Sequence, residues 1–173
     1  FFPQQIHSSH IATIIRGDED LQGCDGLFSR DPSFLLGIQT ADCAPVIFQG
    51  KECFGVAHCG WRGLVGGILE NIQDLFKKEN DPIQKIWIGP FFPVFEIQRD
   101  FCFEEISQKF GEQFFFLSRK GKKERLTFSF LEAIKSILPQ AEYCGENTFT
   151  QKKWASWRRE GNAERNRTII GNW

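Results

Sequence analysis

Ala44-Pro45-Val46-Ile47-Phe48-Gln49-Gly50-Lys51-Glu52-Cys53-Phe54-Gly55-Val56-Ala57-His58-Cys59-Gly60-Trp61-Arg62-Gly63 is the stretch that decides the fold class. Ala44–Phe48 is an apolar run rich in Val, Ile and Phe and reads as a strand. Gln49-Gly50-Lys51 is a hairpin signal, which makes Cys53–His58 the return strand. Upstream, Phe34–Gln39 reads as a further strand, separated from the first by Thr40-Ala41-Asp42-Cys43. Downstream, Leu64, Ile68, Ile72, Leu75 and Phe76 recur at three- and four-residue spacing and predict a helix over 63–79. Asn80-Asp81-Pro82 ends it. Lys85–Ile88 is a short strand stopped by Gly89-Pro90, and Phe101, Ile106 and Phe110 mark a second helix. Gln113–Leu117 reads as strand, Phe128, Leu131, Ile134 and Leu138 as a third helix, and Arg167–Gly171 as a last strand. Strands and helices alternate without a strict βαβ rhythm. The expectation is an α+β fold of mixed sheets flanked by helices rather than a doubly wound parallel sheet.

The 173 residues suit one domain spanning 1–173. Hydrophobic residues at 41% and charged ones at 25% argue against disorder and fibrous repeats. With 21 Lys+Arg against 22 Asp+Glu, nothing in the charge calls for nucleic acid or a membrane surface as partner. The longest apolar runs, Ala44–Phe48 and Phe114–Leu117, fall far below the ~20 residues that a helical span needs. No charged start leads into an apolar segment with a cleavage site, so the reading is a soluble domain without a secretory signal. Phenylalanine occurs 19 times and methionine not at all. The six cysteines (24, 43, 53, 59, 102 and 144) form no CxxC pair. A core of this size does not need disulfides, so reduced thiols and a cytoplasmic location are expected.

Two basic patches stand out. Ser118–Arg125 and Gln151–Trp173 each net +4, which leaves −9 on the remaining chain. The first reads as a solvated turn carrying Gly121. The second sets Trp154, Trp157 and Trp173 among arginines. That arrangement either stacks a base and grips phosphate or simply packs a terminal segment onto the core.

There are three histidines: His7, His10 and His58. His58 ends an apolar strand directly before Cys59-Gly60-Trp61-Arg62-Gly63. Glycines there allow a sharp turn and close approach to a bound group. The helix that follows offers unpaired N–H groups, and Arg62 adds a donor fork suited to phosphate or carboxylate. A strand-to-helix turn with purely structural glycines is the plainer alternative. Asp42-Cys43 follows one strand, and the hairpin can return His58 to its neighbourhood. Cys43 and His58 would then share a metal or form a nucleophile–base pair. Spacings of 36 and 15 residues between His7, Cys43 and His58 match no compact metal motif.

Gln5-Ile6-His7, Asp25-Gly26-Leu27, Thr40-Ala41-Asp42-Cys43-Ala44-Pro45-Val46, Ala57-His58-Cys59-Gly60-Trp61-Arg62-Gly63, Ile88-Gly89-Pro90 and Trp157-Arg158-Arg159-Glu160-Gly161 occur in that order. Together they resemble the laccase-domain (polyphenol oxidase) family, of the purine nucleoside phosphorylase type, over essentially the whole chain. The resemblance implies mixed β-sheets sandwiched between helix layers and a zinc held by His7, Cys43 and His58. It also implies phosphorolysis of adenosine, inosine, guanosine and methylthioadenosine, and deamination of adenosine. The chain departs from the family pattern in three places. Cys59 stands where the family usually has Ala, which makes it a neighbour rather than a fourth ligand. Phe91-Phe92-Pro93-Val94-Phe95-Glu96-Ile97 is shorter than usual and lacks a second glycine. The family's segment before Gln5-Ile6-His7 is not among these residues, and the expectation is a domain without that part of the pattern.

On this reading the chain is a zinc-dependent purine nucleoside phosphorylase and adenosine deaminase, with nucleosides and phosphate as its small-molecule partners. Copper is the less favoured metal. Arg62, Arg158 and Arg159 are the phosphate-clamp candidates. Asp42 and Asp25 are candidate acid–base or supporting carboxylates, and Arg62 belongs with them as a catalytic candidate. One alternative is a metal-free cysteine hydrolase or deamidase using Cys43 and His58. Another is a non-catalytic binding domain that keeps zinc only for structure. A multicopper oxidase needs on the order of ten imidazole ligands, and three histidines cannot supply them.

Overall fold

The computed structural model describes residues 1–120 and 123–171. Its strands are β1 (Ile11–Ile14), β2 (Gly26–Ser29), β3 (Leu36–Thr40), β4 (Ala44–Gln49), β5 (Phe54–Cys59), β6 (Lys85–Ile88), β7 (Val94–Glu96), β8 (Phe115–Lys120), β9 (Lys123–Ser129), β10 (Glu142–Tyr143) and β11 (Asn166–Ile170). The helices are α1 (Trp61–Val65), α2 (Ile68–Lys78), α3 (Phe101–Phe110), α4 (Phe130–Ile137) and α5 (Trp157–Glu160). Six strands form one sheet in the order β1-β2-β5-β4-β6-β10. Its central pairs are antiparallel, and its outer pairs, β1–β2 and β6–β10, are parallel. β3 pairs antiparallel with β11 in a second sheet, and β7-β9-β8 form a third. The fold is thus mixed α+β, with several sheets.

Strand alternation explains the layers. On one face of β5, Ala57 and Cys59 pack with Ile68, Leu69, Ile72 and Phe76 of α2. On the other face, Phe54 and Val56 pack with Leu36 and Ile38 of β3. Each of these large side chains contributes about 1.5–3 kcal/mol when fully buried. A helix layer therefore covers one face of the large sheet, and the β3–β11 sheet covers the other.

The helix expected over 63–79 is two helices. Gly67 adopts φ 88° between them, a conformation glycine takes without penalty, so the chain turns before α2 begins. Phe128 belongs to β9 rather than to α4, because pairing with Phe95 and Phe115 outweighs its helical spacing. The basic stretch 118–125 is the arm of the β8–β9 hairpin; Gly121 and Lys122 lie outside the described residues, as does Trp173. Among the described residues no helix is long and apolar enough to cross a membrane.

The β4–β5 hairpin closes through the Gly50 N–H, which donates to the Cys53 carbonyl at 2.9 Å. Asp81, just past α2, accepts from the backbone N–H groups of Lys51, Glu52 and Cys53 at 2.9, 2.9 and 2.6 Å. A β-carbon on Gly50 would lie 2.4 Å from the Asp81 carboxylate, so glycine is required there. Burial works against the Asp81 charge, but the three donors outweigh it and hold the pKa at about 2. Asp81→Ala is expected to lower the unfolding free energy by about 1–3 kcal/mol in urea denaturation at neutral pH. The folded pKa lies below the unfolded one, so this stabilisation is full above about pH 4 and is lost as pH falls towards 2. Stability curves of the wild type and the variant should therefore converge across that window.

Candidate active site

The site forms where the two sheets meet. β3 ends at Thr40, and Ala41-Asp42-Cys43 carries the chain across to β4 in the larger sheet. Register pairs Ala44 with Cys59 and Pro45 with His58, so Cys43 emerges beside Gly60. A β-carbon on Gly60 would lie 2.9 Å from His7 Cδ2 and 3.1 Å from Cys43 Sγ. Only glycine leaves that space open. One ligand atom from each of His7, Cys43 and His58 lies within 4.8 Å of the others. The imidazole rings of His7 and His58 sit edge-on, 4.8 Å between centroids.

Asp25 holds two of the three in place. Its carboxylate is fully buried and accepts from the N–H groups of Ile6, His7 and Ser8 at 3.0, 3.0 and 2.7 Å. The segment wraps so tightly that His7 takes φ 64°. The same carboxylate lies 2.6 Å from His58 Nδ1, which leaves Nε2 as the ring's free ligand atom. Gln5 fastens the segment to β3 by exchanging two 2.8 Å hydrogen bonds with the Gln39 backbone.

Electrostatics suit a cation. Burial works against the Cys43 thiolate, but hydrogen bonds from His58 and His7 lower its pKa below the ordinary thiol range. Burial likewise opposes a charged His58, yet Asp25 and Cys43 raise its pKa. A soft thiolate and two imidazoles with an open approach make a donor set that can hold a metal ion. Cys59 takes no part. Alternation along β5 turns it into the core opposite His58, and burial pushes its thiol pKa up.

Above these three residues lies a cavity of about 560 Å³, lined also by Gln5, Asp42, Trp61, Arg62, Trp157, Arg158 and Arg165. The Arg62 guanidinium lies 4.5 Å from the Trp61 ring centre, and that of Arg158 4.5 Å from the ring of Phe95. Arg159, expected beside them, is turned to another task. Its guanidinium donates to the carbonyls of Thr148, Phe149 and Trp154 and pairs with Glu160, so it is committed to bracing that loop. Asp25 is enclosed, and Asp42 is 8% exposed with both carboxylate oxygens engaged. Both carboxylates support neighbouring groups. Trp157 does line the cavity, whereas the Trp154 indole N–H donates to Glu146. Arg165 was not separable by sequence from other arginines, whereas Gln5 stood in the Gln5-Ile6-His7 motif without being given a role. Arg165 lay inside the arginine–tryptophan tail, which was the one available signal.

Residues 1–171 match the multi-copper polyphenol oxidoreductase laccase family. A purine nucleoside phosphorylase of Aquifex aeolicus is 28% identical over 98% of this chain and 81% of its own length. An adenosine deaminase, RL5, from an unknown prokaryotic organism is 30% identical over 67% of this chain and 48% of its own. The crystal structure of the Bacillus licheniformis hypothetical protein YfiH superposes with a TM-score of 0.83. It shares 24% identity and covers 98% of this chain and 73% of that one, a likeness of fold. On the match over residues 1–171, this chain belongs to the multi-copper polyphenol oxidoreductase laccase family.

Proposed function

We propose that the chain is a zinc-dependent purine nucleoside phosphorylase that also deaminates adenosine, with the zinc on His7, Cys43 and His58. The observation that carries this reading is the placement of that donor set at the base of a cavity walled by Trp61, Trp157, Arg62, Arg158 and Arg165. The names of the Aquifex and RL5 relatives support the two activities. A volume of about 560 Å³ lies within the range of about 300–1,000 Å³ usual for small-molecule sites. When bound, the zinc supplies a Lewis acid with an open coordination position.

The chain's own residues do the rest. Arg62 and Arg158 meet phosphate with fixed guanidinium forks and hold it for approach to the sugar's anomeric carbon. Trp61 and Trp157 offer faces on which a purine stacks, and they narrow the cavity against water. Asp25 keeps the proton on His58 Nδ1, so that Nε2 remains a donor to the metal. Oxidation in the manner of multicopper enzymes is disfavoured for this chain, because the three histidines of its 173 residues cannot build several copper centres. A metal-free cysteine hydrolase remains the second reading, favoured by the line Cys43–His58–Asp25, which has the order of nucleophile, base and orienting carboxylate. It leaves His7 without a task.

Phosphate-dependent turnover of a nucleoside panel, with bound metal quantified in the same preparation, tests the proposal. Cys43→Ala should lose metal and both activities together, since two imidazoles with an open position hold zinc poorly. Activity on nucleosides in rigorously metal-free protein would instead support the hydrolase. Arg62→Ala should keep its zinc and lose phosphorolysis more than deamination, because only phosphorolysis binds phosphate. Equal loss of both reactions would make Arg62 a structural arginine. Asp25→Asn is expected to weaken zinc binding by roughly 10–100-fold in competition with a chromophoric chelator.

A further inference from the structure

Asp42 is tied to more of the molecule than a loop carboxylate ordinarily is. Its Oδ1 accepts from the Thr148 hydroxyl at 2.7 Å, and its Oδ2 accepts from the Arg158 backbone N–H at 2.8 Å. These partners lie 106 and 116 residues away in the chain. Its own carbonyl accepts from the Phe92 N–H at 3.0 Å. Three distant segments therefore converge on one residue, which sits at φ 80° next to Cys43. Thr148 is fully buried, and its carbonyl is taken by Arg159.

Arg158 is the second residue of α5, a helix of four residues. So short a helix has little stability of its own, and its first N–H groups lack partners within it. Ser156 caps one of them, accepting from the Arg159 N–H at 3.2 Å, while Asp42 caps another from across the fold. The Arg158 guanidinium rests on the rings of Phe95 and Phe92, 4.5 and 6.0 Å from their centres. Neither it nor Arg62 nor Arg165 pairs with a carboxylate among the described residues.

We infer that Asp42 is a positioning residue, a latch that fastens the Trp157–Arg158 wall to the Cys43 loop and so aims the Arg158 fork at the phosphate. The inference rests on the phosphorylase reading for its ligand, though not for the latch itself. Both carboxylate oxygens are engaged in holding structure, which distinguishes this role from that of a group exchanging protons with substrate.

Two substitutions separate the roles. Asn fits both the left-handed backbone and the two partners: its Oδ1 accepts the Arg158 N–H while its Nδ2 donates to the Thr148 oxygen. Glycine also favours that backbone but removes the latch, so loss in Asp42→Gly cannot be ascribed to strain at φ 80°. Hydrogen exchange at the Arg158 amide should be unchanged in Asp42→Asn and faster by roughly 10–100-fold in Asp42→Gly. With inosine as co-substrate, Asp42→Gly should raise KM for inorganic phosphate by roughly tenfold or more with zinc content intact, and Asp42→Asn should restore it. An amide that stays protected in Asp42→Gly overturns the latch. Loss of kcat in Asp42→Asn at unchanged KM also overturns it and makes Asp42 an acid–base group. Should the wild type turn over no nucleoside, the phosphorylase reading fails, and the exchange measurement still decides the latch.

Discussion

The buried carboxylate of Asp25 is the constraint on which the candidate site depends. A carboxylate with no exposure is costly unless hydrogen bonds replace its hydration, and this one accepts three backbone N–H groups and faces an imidazole nitrogen. The consequence runs outward in two directions. Residues 6–8 are bent around it, which delivers His7, and the ring of His58 is held in one orientation. Removing this charge would release a terminal segment and a strand side chain at once, although they are 51 positions apart in the sequence.

Strain is kept close to the chemistry. Among the described residues, the non-glycine positions with positive φ are His7, Asp42 and Asn80, and two of these three belong to the site. His and Asp tolerate that conformation better than branched residues do, and the surrounding hydrogen bonds over-determine it. Cys43 follows one of the strained positions and touches the side chain of the other. The three-residue crossover Ala41–Cys43 between the sheets thereby brings the sulfur to the two histidines.

Charge is distributed with the same economy. Of the arginines in the carboxy-terminal part, Arg159 is spent on backbone carbonyls, Arg158 faces the cavity, and Arg165 lines it while donating to the carbonyls of Asn162 and Glu164. Two adjacent residues thus differ in task because a helical turn points them in different directions. Aromatic rings under Arg62 and Arg158 support the guanidinium planes without neutralising them. Positive charge remains available to an anion in a cavity that also holds the Cys43 sulfur and the two imidazoles.

Much of the architecture was legible in the sequence. The β4–β5 hairpin, the apolar stripe of α2 and the β6 strand follow from local periodicity and turn chemistry, because their determinants are near neighbours in the chain. The motifs around Asp25, Cys43, His58 and Arg158 also named most of the residues now seen around the cavity. β1, β2, β7 and β10 were missed because they are short and take their strand character from pairing partners elsewhere in the chain, and β9 was missed because its basic start reads as a solvated turn. The break at Gly67 and the strand assignment of Phe128 were set by packing against periodicity. No local pattern could bring His7 to Cys43, separate Arg158 from Arg159, or bind Asp42 to Thr148 and the Arg158 amide. Those are contacts across 36 to 116 residues, and they exist only once the sheets have met and the buried carboxylates have found their donors.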